Sequence, residues 1–361
     1  MNMLAALVSA ALLPLPSHAT LVADQAQFRQ LSEQALAQTQ TMWWSDADGW
    51  YRDRRSEPTV ATMWSSYPLL ELTAAIAIAD PTQANKDFVD ETFMLAEKFW
   101  DPTIDGTGGI SWQFGLRGTG IAYYDDAGWW AVSYLDAYRA TGNTRWLWDA
   151  GRALAYIDRY GWDPVNGGMW WDGGHSHKTS EPLAAAALVA ATLYHIQHRA
   201  YYLKLATKYI SWADAYTRNP SQGDLYGRSA TDGTVMDYVE GMMIDAHVQL
   251  CEATKQQSWC DQAEQLANAS IQQFPLMADW APETDVVYLR SMLDLYAEDG
   301  NPEWYALAYD NAVRAEQNAG GGPGLWAHSW DGTYADSEAL FTQTATPELF
   351  AWLAATSPPA G

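Results

Sequence analysis

Leu135-Asp136-Ala137-Tyr138-Arg139-Ala140-Thr141-Gly142-Asn143 carries a helical pattern into a Gly-Asn turn, and Trp146 and Ala150 follow it. The same order returns twice, as Cys251, Trp259, Ala263 and as Tyr296, Trp304, Ala308. In each case an aliphatic or aromatic residue precedes a short turn, and then an aromatic residue and an alanine open the next helix. Repeated helix hairpins of this kind mark an array or a toroid.

Outward from these hairpins, apolar period and turn punctuation predict about twelve helices and no strand array. The first spans Phe28 to Leu36 with Asp24 as a plausible cap, and the last starts near Ser337. The helices alternate in character. Leu69–Ala79, Trp129–Tyr138, Leu183–Leu193, Gly241–Leu250, Val286–Tyr296 and Glu338–Ala355 are poor in charge, whereas Arg152–Arg159, Lys204–Asp214, Asp261–Gln273 and Glu303–Glu316 carry a charged face. Helices apolar all round belong inside and amphipathic ones outside, which predicts a double-walled ring. The links alternate too: tight turns such as Asp80-Pro81 and Asp299-Gly300-Asn301, then long links rich in Gly and Trp. In such a ring every long link emerges at one end. Trp43, Trp44, Trp50, Trp112, Trp162, Trp170, Trp171, Trp326 and Trp330 are therefore expected at one mouth.

Composition narrows what the mouth could bind. The 361 residues are 48% hydrophobic, and 44 acids against 20 bases give a net charge of -24. That field repels phosphate backbones and anionic lipid, so nucleic acid and membrane partners are not expected. Uronic acid or sulfated substrates fit poorly for the same reason, and a neutral substrate fits best. The apolar run Leu4–Leu15 followed by Ser17-His18-Ala19 reads as a secretory signal cleaved after Ala19, despite lacking a basic n-region. Residues 20–361 then form one domain, expected to be secreted and monomeric. Export permits a disulfide between Cys251 and Cys260, although two buried free thiols would satisfy the sequence equally well. Asn268-Ala269-Ser270 is a glycosylation sequon within a helical pattern.

Tyr124-Asp125-Asp126-Ala127-Gly128-Trp129-Trp130 stands where a Gly-rich link gives way to an inner helix. Acids suit a first helical turn, so the pair could be a cap and nothing more. A chemical reading is also available. Glycoside hydrolysis uses one carboxylate as nucleophile or base and one protonated carboxyl as acid, about 5–5.5 Å apart in retaining enzymes. Neighbouring Cα atoms lie about 3.8 Å apart, so adjacent Asp side chains can reach that separation. Such a pair titrates as a unit. Spacing alone does not assign the two roles.

The run from Tyr124 to Ala131, continued by Leu135–Asn143, resembles glycoside hydrolase family 76, the family of α-1,6-mannanases and related fungal cell-wall transglycosidases. Gly167-Gly168-Met169-Trp170-Trp171, Ser180-Glu181, Tyr238 with Gly241, Leu289-Arg290, Gly324-Leu325 and Trp330 match in the family's order. The resemblance implies an all-α (α/α)6 barrel, with Asp125 as nucleophile and Asp126 as acid/base. It depart from the family pattern at Val239-Glu240, at Asp285-Val286 and over Asp172–Lys178, which bears on the substrate more than on the reaction.

The expected activity is endo-acting hydrolysis of α-1,6-linked mannan, with no cofactor and no metal. Candidate sugar-binding residues are Trp64, Tyr124, Trp130, Trp170, Trp171, His175, Tyr238, Glu240, Arg290 and Trp330. For Arg290 a buried salt bridge is an equal alternative, and for Glu181 and Glu240 a helix cap is. His175 and His177 alternate as metal ligands can, but lack an obvious third. Two other functions fit the same scaffold. One is a cell-wall transglycosidase, disfavoured because Ser357-Pro358-Pro359-Ala360-Gly361 lacks the apolar tail of a lipid anchor. The other is a carbohydrate-binding protein without catalysis.

Overall fold

A computed structural model describes residues 14–118, 122–274, 281–327, 329–333, 336 and 338–360. Among these residues there are twelve α-helices. Six form a closed inner ring: α2 (Met63–Ala79), α4 (Tyr124–Thr141), α6 (Ser180–Gln197), α8 (Asp237–Thr254), α10 (Pro282–Asp299) and α12 (Leu340–Ala355). Each packs on the next, and α12 closes onto α2. The other six lie outside: α1 (His18–Met42), α3 (Gln83–Ala96), α5 (Thr144–Tyr156), α7 (Ala200–Tyr216), α9 (Gln257–Gln273) and α11 (Pro302–Asn318). This is the (α/α)6 barrel.

Local chemistry explains the tight turns. Gly142 and Gly300 end α4 and α10 at φ 75° and 73°, a conformation that glycine adopts without a Cβ clash. The next residue but zero is Asn in both turns: Asn143 and Asn301 accept from the backbone N–H groups of Arg145 and Glu303, each at 3.1 Å. Lys255 takes the same left-handed role after α8, and Cys251 and Cys260 are disulfide-bonded across that turn, joining α8 to α9. The open question of the two thiols is thus resolved as a bridge. The sequon lies inside α9, where Ser270 is buried and bonded to the Tyr288 hydroxyl at 2.7 Å.

The inner helices run parallel, so their N-termini gather at the end where the long links emerge. Four of those links form two-stranded hairpins: β1/β2 (Trp44–Ser45 and Trp50–Tyr51), β3/β4 (Trp100–Asp101 and Gly109–Ile110), β5/β6 (Arg218–Asn219 and Leu225–Tyr226) and β7/β8 (Gly320–Gly322 and Leu325–Trp326). Helix α1 begins at His18 with Ser17 as its cap, well before the expected Asp24, which instead accepts from the Tyr309 hydroxyl at 2.5 Å. The apolar run of the expected signal falls mostly on residues 1–13, outside the described residues.

Deep in the ring, Arg290 of α10 bridges Glu71 of α2, at 2.8 Å, and Asp136 of α4 through both terminal guanidinium nitrogens. Its guanidinium also lies 4.2 Å over the Trp352 ring of α12. One buried cation thereby ties four inner helices together. Burial pushes the Glu71 and Glu348 carboxyls well above their usual range, with the neighbouring acids adding to it.

Candidate active site

The start of α4 carries the acid pair to the mouth. The Asp126 backbone N–H donates to Asp125 Oδ1 at 3.0 Å, a free first-turn donor of the kind that stabilises negative charge. The link after α5 folds back on this point: Tyr124 N–H donates to the Trp171 carbonyl and Trp171 N–H to the His177 carbonyl, both at 2.9 Å. That docking sets the Trp171 indole N–H on Asp125 Oδ2, also at 2.9 Å.

Around the pair is a cleft of about 360 Å³. Trp64, Trp112, Tyr123, Trp129, Trp171 and Tyr238 supply aromatic surface, and Thr62, Glu181 and Arg228 supply polar groups. Trp129 forms the floor, stacked on Tyr67 at 4.8 Å and flanked by Trp64 and Tyr238. Glu181, at the N-terminus of α6, accepts from Arg228 Nε at 3.1 Å. Flat rings with a few convergent polar groups match the apolar faces and hydroxyl edges of a sugar.

The two acids differ in electrostatics. Burial lifts the Asp125 carboxyl to about 6, while the Trp171 indole and the Asp126 N–H hold it down and Glu181 pushes it up. Asp126 rises further, to well above the usual carboxyl range, through burial and then through the charge on Asp125. Both directions favour a shared proton residing on Asp126 and charge residing on Asp125. A charged Asp125 beside a protonated Asp126 is the state that double displacement needs at its start.

The family model of glycosyl hydrolase family 76 matches residues 114–288 and so takes in the acid pair and the cleft walls from α4 to α8. Over those residues the chain is similar to glycoside hydrolase family 76. No curated protein matches it by sequence. Among solved structures it is similar to a family 76 α-mannanase of Bacteroides thetaiotaomicron at 22% identity and TM-score 0.81, covering 91% of this chain and 95% of that one. It is also similar to an α-1,6-mannanase of Salegentibacter sp. HEL1_6, at 18% identity and TM-score 0.76, covering 91% and 98%. That structure is an inactive variant with two consecutive aspartates replaced by alanine, in complex with α-1,6-mannotetrose. A cellobiose 2-epimerase of Spirochaeta thermophila shares the fold at 14% identity and TM-score 0.67, covering 94% and 99%. The barrel therefore hosts more than one chemistry, and the site must carry the functional argument.

Trp64, Trp171 and Tyr238 stand in the cleft with Asp125 and Asp126. Trp170 does not; it lines a separate chamber beside it, with one ring face against His175 and Lys178 close by. His175 itself is exposed at φ 54° and is not part of the cleft wall. Tyr124 and Trp130 are packed inside the barrel wall, the first against Tyr156 and the second stacked on Tyr134 at 3.7 Å. Glu240 is buried and accepts from the Tyr226 N–H at 2.6 Å, so it supports β6 rather than facing the cleft. Arg290 is committed to its ion pairs in the ring. Trp330 is buried and donates to Thr346 Oγ1 at 2.7 Å.

The crowded mouth of Trp residues needs the same correction. Trp43, Trp50, Trp326 and Trp330 are all buried. Trp43 donates to the Glu338 carbonyl at 2.9 Å and Trp50 to Ser66 Oγ at 3.0 Å. These rings anchor the long links between helix ends, which is core filling after all. Trp112 and Trp171 reach the cleft, and Trp129, Tyr123 and Arg228 join them without having been singled out from the sequence.

Proposed function

We propose that this protein is a secreted, retaining glycosidase that cleaves α-1,6-mannosidic bonds within mannan. The observation that carries the reading is the environment of the adjacent acids: Asp125 is held charged by the Trp171 indole, and Asp126 is held neutral by burial. Asp125 attacks the anomeric carbon to form a glycosyl ester as the C–O bond to the leaving sugar breaks. Asp126 gives its proton to that leaving oxygen, then takes one from the water that hydrolyses the ester. Trp64 and Tyr238, packed over the buried Trp129, stack on sugar faces, and Glu181 and Arg228 bind hydroxyls. The consecutive aspartates replaced in the inactive Salegentibacter mannanase, together with its bound α-1,6-mannotetrose, support the same assignment and substrate here.

The test is a product profile on α-1,6-mannan for wild type, Asp125→Asn and Asp126→Asn. Linear oligomannosides of several lengths from wild type alone support endo-hydrolysis. Release of mannose only would contradict internal cleavage, elongated transfer products would make the protein a transglycosidase, and equal release by all three proteins would move the chemistry elsewhere.

A further inference from the structure

Beside the cleft lies a larger chamber of about 660 Å³, within the size range of ligand pockets. Residues 169–171 and 177–179 separate the two as a short antiparallel ladder, with Trp170 opposite Lys178. Successive residues of an extended segment point to opposite sides. On the first segment Trp171 accordingly lines the catalytic cleft and Trp170 the chamber, while the second segment turns His177, Lys178 and Thr179 all toward the chamber. Arg228 lines both, and its side chain is 46% exposed at the boundary.

The chamber walls are built rather than incidental. Trp212 reaches in from α7 and lies flat enough on Gly167 and Gly168 that a Cβ at either would stand 2.5 or 2.6 Å from its ring. Those two glycines, at φ 70° and 85°, are what lets the indole approach. Opposite, residues 228–234 fold on themselves. Ser229 Oγ accepts from the Thr231 and Asp232 N–H groups, at 3.2 and 3.0 Å, and Asp232 Oδ1 accepts from the Thr234 N–H at 3.0 Å. The two cations in the chamber are already paired, Lys178 with Asp163 and Arg228 with Glu181. What remains for a ligand is aromatic surface with hydroxyl, amide, imidazole and paired-ion groups and the Asp232 carboxylate, a lining without a spare cation and suited to the hydroxyls of a neutral sugar.

We infer that the chamber receives a neutral sugar branch on the glycan whose backbone occupies the cleft, the branch passing over Arg228. A backbone that follows Trp64, Trp129 and Tyr238 has no reason to cross the ladder, whereas a substituent on a sugar near Arg228 does. This rests on the cleft being an α-1,6-mannan site, and it makes the enzyme one that accepts substituted mannan.

Binding is measured by calorimetry in the Asp126→Asn background, with a linear α-1,6-mannooligosaccharide and with the same oligosaccharide carrying one mannosyl branch. The branched compound is expected to bind at least about tenfold more tightly. Ala230→Trp, which fills the chamber from its exposed loop, and Trp212→Ala, which removes a wall, should each erase that difference and leave linear binding within about twofold. No preference for the branched compound, or equal loss on both compounds, overturns the inference. Hydrolysis of linear mannan by the Ala230→Trp protein with Asp126 intact checks that the variant is folded. Failure of wild type to cut linear mannan counts against the cleft reading, while the calorimetric difference still decides the chamber.

Discussion

Trp171 Nε1 donates to Asp125 Oδ2 at 2.9 Å, so the indole joins the Asp126 N–H in favouring charge on Asp125 in a buried site. Removing it in Trp171→Phe leaves burial unopposed by that bond. The acidic limb of kcat/KM against pH, set near 6 by Asp125 in wild type, should move to higher pH. A limb that stays in place or moves down would contradict this role.

Asp126 has the opposite task. Asp126→Asn should lower kcat on mannan by about 10²- to 10⁴-fold, the usual worth of a general acid–base group. On an activated aryl α-mannoside the leaving group needs no proton, so the ester should form and accumulate. A burst of phenolate with slow turnover is the expected trace, and loss of the burst would count against Asp126 as acid/base.

Arg290 stabilises the ring instead of binding sugar. Arg290→Ala leaves Glu71 and Asp136 buried without their cation, which should cost about 3–5 kcal/mol in urea unfolding. A variant of unchanged stability but weakened mannan binding would restore the substrate role read from the sequence.

Glu240 links stability to pH. Burial raises its carboxyl from the usual 4.5 to about 8, against the Tyr226 N–H and the charge of Arg218. A group raised on folding contributes stability that is whole below its unfolded value and disappears as pH climbs through the folded one. Glu240→Gln keeps the acceptor for Tyr226 and cannot ionise. Its melting temperature should gain on wild type between about pH 5 and pH 9. A gap that is constant with pH would contradict the assignment.

Much of the barrel was legible because helix period and turn chemistry are local. Gly142-Asn143 and Gly300-Asn301 end one helix and cap the next wherever they stand. Side chains in the long links were not legible in that way, because whether an indole faces solvent or fills a helix gap depends on distant partners. Trp330 meets Thr346 and Trp43 meets Glu338, contacts that no spacing announces. Arg228 joins Glu181 from another link for the same reason. One miss was avoidable. Trp129 follows Asp125 by four residues and so shares its helix face, while Trp130 turns a further 100° or so into the wall, where Tyr134 is its own partner four residues on.

If neighbouring aspartates act as nucleophile and acid/base on an α-mannosidic bond, the anomer first released keeps the configuration of the bond that was cut. Proton NMR of α-1,6-mannan during early turnover should show the α-anomer of the new reducing end before mutarotation. Initial appearance of the β-anomer would mean single displacement and would contradict the account.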